Sequence, residues 1–99
     1  MNICVDRARH IITAHACDII DKRVDTETIE QTFESMRTLL DGKPAPIAWQ
    51  PAANFWRKID ETYLNCNSNQ RHQVKAEILR ILTQLEGVML RRNTKTGGK

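Results

Sequence analysis

The residues with chemistry of their own are three cysteines (Cys4, Cys17, Cys66), three histidines (His10, His15, His72) and the close carboxylate pairs Asp18/Asp21 and Asp60/Glu61. Thiolates and imidazoles are zinc ligands, and four of these six side chains fall between positions 4 and 17. Structural zinc sites bring such ligands in two close pairs. Here His10 and Cys17 can share one helical face, but His15 lies well around the helix from them. The second pair would have to come from distant Cys66 and His72, so no metal is expected. Cys66 is the single candidate nucleophile: it precedes His72 by six positions and sits near a helix start, where the dipole favours a thiolate. No oxyanion site accompanies it. Asp18/Asp21 stands beside Lys22 and Arg23, which fits surface ion pairing better than acid–base work. With no Walker loop, G-x-G-x-x-G, H-E-x-x-H or EF-hand loop in the chain, the expectation is a protein that is not an enzyme and needs no cofactor.

Two segments instead carry residues suited to binding. The run Asn67–Lys75 holds Asn69, Arg71, His72 and Lys75 at the start of a helix. These are types that read base edges and phosphates, and Lys95 in the basic tail could add a phosphate contact. The second is Pro44–Pro51, which places Ile47 and Trp49 in a proline-rich connector. A Trp there either folds back over the core, the safer expectation, or anchors a partner protein. In the second case Arg91 and Arg92 would steer the encounter.

Helices must position all of these groups. Val5, Ala8, Ile12, His15/Ala16 and Ile19 recur at steps of three and four, which predicts a helix over about 3–22. Asp25 reads as the N-cap of a second, with Ile29, Phe33, Met36 and Leu40 inward and Gly42 and Pro44 as its stop. All three prolines lie in 42–51, an extended and semi-rigid connector. A third helix should open with Pro51 and turn Ala52, Phe55, Trp56, Ile59 and Tyr63 inward, ending near Leu64. After the NCNSNQ turn, capped by Asn67, the longest helix carries Val74, Ile78, Ile81, Leu85 and Val88 to about Leu90. The expected fold is therefore all-α: a small bundle of about four helices in residues 1–90, with a flexible basic tail over 91–99.

At 99 residues, 40% hydrophobic and 27% charged, the chain suits one globular core and not a disordered segment. Aromatics make up 5%, so Ile, Leu, Val and Met must fill that core. The net charge of +3 is unevenly placed. Residues 1–41 hold five cations against eight acids, and residues 42–99 hold ten against four. An odd cysteine count without close spacing argues against a disulfide framework and fits a reducing compartment. The N-terminus does not read as a signal peptide, and no stretch approaches a membrane span. The expected location is the cytoplasm. The expected function is that of a small regulator, adaptor or inhibitor docking onto a larger protein, a profile shared by accessory proteins of phages and mobile elements. The alternative is a nucleic-acid-binding accessory protein. The wide stripe on the last helix would also serve a homodimer.

Overall fold

Proline fixes φ and gives up an amide donor, so the segment that follows the helix stop at Gly42 favours an extended path over a continued helix. That constraint shapes the topology. The structure, a computed structural model, describes the backbone of residues 3–97 and the side chains of residues 3–92. It contains α1 (Ile3–Ile20), α2 (Thr26–Leu40), α3 (Gln50–Leu64) and α4 (Ser68–Gly97), with no strand among the described residues. The fold is an all-α bundle, as the periodicity requires.

Cross-links between helices give their directions. Arg9 of α1 pairs with Glu77 of α4 at 2.8 Å, and Arg92 reaches the Ile20 carbonyl at 2.7 Å, so α1 and α4 run parallel. Arg37 of α2 pairs with Glu86, and Lys75 with Asp41 at 2.9 Å, so α2 runs against α4. Cys4 joins Cys66 at one end of the α1/α3 pair, and Lys22 borders Gln50 and Pro51 at the other, which makes α3 antiparallel to α1. Hence α2 and α3 point the same way. The connector must travel back along α2 before α3 can begin. An extended chain advances about 3 Å per residue, so residues 41–49 reach about 27 Å, enough to pass a 15-residue helix of about 22 Å. The prolines keep this crossover extended.

The core follows the predicted faces closely. Ala8, Ile12, Ala16 and Ile19 of α1 are buried with Ile29, Phe33, Met36 and Leu40 of α2. They meet Ala52, Phe55 and Ile59 of α3 and Val74, Ile78, Ile81, Leu82, Leu85 and Met89 of α4. On α4 the buried line moves from Ile81 and Leu85 to Met89, leaving Val88 half-buried. A heptad pattern predicts Val88 instead, but a straight helix drifts about 20° per heptad and brings Met89 inward. α1 packs against α3 and α4, and α4 also against α2. At 30 residues, or about 45 Å by helical rise, α4 sets the long 47 Å dimension of the molecule.

The ends of the elements show why they start and stop. The Asp25 carboxylate accepts the Thr28 amide at 2.7 Å, and Asn67 accepts that of Gln70 at 3.0 Å. Gly42 adopts φ +87°, a left-handed stop reached without steric cost only by glycine. α1 ends at Ile20, so Lys22 and Arg23 lie in the loop and not in a last helical turn. α4 continues to Gly97, beyond the end of its apolar stripe near Leu90. Cations such as Arg91 and Arg92 suit the C-terminal turns of a helix.

The cysteine expectation requires correction. Cys4 and Cys66 form a disulfide, with Cα atoms 6.1 Å apart, and Cys17 is the exposed free thiol. Their separation of 62 residues conceals the pair in the sequence. Tertiary structure alone brings the start of α1 to the α3–α4 turn, and geometry at that point decides pairing.

Candidate functional site

The connector is the first candidate. Ile47 and Trp49 are half-buried and pack against the core, so the indole folds back while keeping part of its surface in water. Trp49 also occupies the N-cap position of α3, without a side-chain capping bond, and Pro51 fills the first turn where a missing amide costs nothing. The segment Pro46–Trp49 lies over Thr28, Gln31, Thr32 and Ser35 of α2 and leaves an open cleft of about 380 Å³ between them. Its rim is mixed: Trp49 and Ile47 supply apolar surface, and Glu34 supplies charge.

Arg92 and Arg91 are both exposed, but they do different things. The Arg92 guanidinium donates to the last carbonyls of α1 through Ile20, and it stands 4.0 Å from the Asp21 carboxylate. α1 has no basic residue in its own last turn, so α4 provides the cation that its C-terminal dipole favours. The Arg91 head lies back over Gly87. Both Arg92 and Trp49 border the first half of α2, on different faces of that helix. Residues 43 positions apart in the chain are thus gathered at one end of the bundle.

The other candidate surface, the start of α4, is partly occupied by the fold itself. Arg71 donates from Nε to the Cys66 carbonyl at 3.1 Å and from its terminal nitrogen to that of Leu64 at 3.3 Å. Its guanidinium lies 5.6 Å from the Tyr63 ring centroid, a cation–π distance. Lys75 is held by Asp41, which keeps the Asp41 carboxyl below its usual range and raises the lysine. Asn69 and His72 are exposed. The Lys95 side chain lies outside the described residues. Of the five groups expected to face nucleic acid, two therefore spend their charge on capping α3 and fastening α2.

The thiol and imidazole candidates are dispersed. Cys66 is 4% exposed and its sulfur is bonded to Cys4, which corrects its reading as a nucleophile. Among the described residues, no three His, Cys, Asp or Glu side chains gather closely enough to hold a metal. Every fully buried side-chain nitrogen or oxygen among them has a hydrogen-bond partner. Thr62, buried within α3, returns its hydroxyl proton to the Lys58 carbonyl at 2.8 Å. No described helix is long and apolar enough to cross a membrane.

Two features escape sequence reasoning. One is the disulfide. The other is a cation cluster at the α1–α2 corner, where Lys22 and Arg23 of the loop meet Arg92 of α4 around a small cleft. The run Lys22-Arg23 is visible in the chain, but its meeting with a residue about 70 positions later is not. Comparison with protein-family models, curated proteins and solved structures finds no match for this chain.

Proposed function

We propose that this protein is a small helical regulator or adaptor that acts by docking onto a larger protein through the end of the bundle that carries Ile47, Trp49 and Arg92. The observation behind this is the placement of a half-exposed Trp and a cation patch on two faces of the first half of α2, at one end of the bundle. An indole at the rim of a cleft buries much area at low entropy cost when a partner covers it. Cations beside it guide approach and add less to affinity.

The nucleic-acid alternative has less support, because Arg71 and Lys75 already satisfy carbonyls and a carboxylate within the chain. A cytoplasmic location is proposed with this function, but the cysteines no longer favour it. Disulfides are commonest in oxidising compartments.

Affinity capture from the native host, with nuclease treatment and at two salt concentrations, tests the proposal. A protein retained after nuclease treatment and lost from Trp49→Ala supports docking. A nucleic acid retained at low salt and released steeply as salt rises would contradict it.

A further inference from the structure

A cleft of about 70 Å³ opens at the corner where α1 passes into α2. Its charged lining consists of three cations, Lys22, Arg23 and Arg92, and its floor is Val24, Ile29 and Met89. Drug-sized ligands need pockets of about 300 Å³ or more. A space this small suits a single oxyanion group and not a whole ligand. We propose that the cleft is a docking site for a side-chain carboxylate of an acidic, partly apolar segment of a partner protein. This inference rests on the docking function above and names the chemistry of the partner.

Three observations carry it. First, Lys22 and Arg23 have no ion-pair partner among the described residues, whereas Arg9, Arg37, Lys75 and Arg80 each hold a carboxylate. Asp21, 79% exposed, stands 4.0 Å from Arg92 and is outnumbered by the three cations that line the cleft. Second, Arg92 is fixed in place by its 2.7 Å bond to the Ile20 carbonyl, yet its side chain is 55% exposed. A guanidinium held in this way retains donors for an incoming carboxylate. Third, the half-buried Ile20 and Val24 line the cleft beside the cations, so an apolar neighbour of the acidic residue would gain contact there.

The surroundings favour a protein segment over a nucleic acid. α2 contributes Ile29 to the cleft and carries Glu27, Glu30 and Glu34, all exposed along the same helix. These repel an extended polyanion that must place a row of phosphates, but they leave room for one carboxylate in the cleft.

The test uses the full oxidised chain and a fluorescent leucine-containing peptide with one central glutamate, read by anisotropy. A leucine–lysine peptide, inorganic phosphate and a labelled single-stranded DNA serve as the other probes. The acidic peptide should bind and the lysine peptide should not. Combining Lys22→Glu with Arg23→Glu should weaken binding about tenfold or more, a size typical of charge complementarity at an interface. The neutral pair Lys22→Gln and Arg23→Gln should give a smaller loss in the same direction, with circular dichroism confirming the helices. Reversing Arg57 and Lys58 on α3 should change little. Absence of peptide binding, or equal loss from the α3 reversals, would overturn the proposal. So would DNA or phosphate binding more tightly than the peptide with the same dependence on Lys22 and Arg23. Trp49→Ala should leave probe binding intact, so failure of the cleft and failure of docking through Trp49 appear in different variants.

Discussion

Asp25 shows what a single side chain contributes here. Its carboxylate caps α2 by accepting the Thr28 amide, and hydrogen bonds from Thr28 hold its acid strength above that of an ordinary aspartate. Glu77, held by Arg80 and Arg9, and Asp41, held by Lys75, shift the same way. A carboxylate with a lowered folded pKa stabilises the fold above its unfolded value, and that contribution fades as pH falls through the folded value. The melting temperature should therefore hold steady down to the ordinary carboxylate range, about pH 4, and then decline. Asp25→Asn keeps a capping oxygen but cannot be protonated, so thermal melts across this range should show a shallower acid limb.

Gly87 and Gly42 predict opposite outcomes. Gly87 lies within α4, where an added Cβ would meet only the flexible end of Arg91 at 3.4 Å. Gly87→Ala should stabilise the protein by about 0.5–1 kcal/mol in denaturant titration. Gly42→Ala should destabilise it, because φ +87° strains any residue with a Cβ. Caps and stops of this kind are legible in the sequence, since each depends on a neighbour within three or four residues. The engagements of Arg71, Lys75 and Arg92 are not. An exposed basic side chain has the same sequence signature whether it meets phosphate, a partner or a carbonyl from another helix.

Among the elements, α1 is the one fastened by a covalent cross-link in its first turn. Its first turn contains Ile3, 67% exposed, and its first fully buried residue is Ala8. The bond from Cys4 to Cys66 fastens this turn to the α3–α4 corner and closes a loop spanning 62 positions. Chain-entropy arguments place the stabilisation from a loop of that length at about 4 kcal/mol. Reduction, or Cys4→Ser with Cys66→Ser, should lower the unfolding free energy by an amount of that order. Alkylation of the unfolded chain should modify Cys17 alone before reduction and all three cysteines after it. The helical periods that predict each core face are local patterns, so α1 to α4 can be read from spacing. The disulfide and the crossover of the connector are long-range consequences of packing, and no local pattern encodes them.

Core packing can be tested on the same helices. Phe33 is fully buried on α2, and Ile12 is fully buried on α1. Phe33→Ala should cost about 3–5 kcal/mol and Ile12→Ala about 2–5 kcal/mol in equilibrium unfolding, because each leaves a cavity that helices can only partly fill.

For the molecule as a whole, the proline-rich crossover is what turns a helical scaffold into a docking surface. By running back along α2, residues 41–49 bring Trp49 to the end where Lys22, Arg23 and Arg92 meet. The half-exposed indole and the cation cleft flank one helix, so a single partner segment could touch both. The sequence makes Trp49 and the basic residues visible as separate candidates, but their shared location depends on helix directions that only the fold reveals. The most direct measurement is capture of the host partner by wild type, Trp49→Ala and the Lys22→Glu/Arg23→Glu pair, with folding of each verified by circular dichroism. Docking through this end predicts strong loss of the captured protein with Trp49→Ala and a smaller, salt-dependent loss with the charge reversals. Undiminished capture by a folded Trp49→Ala variant would contradict the account.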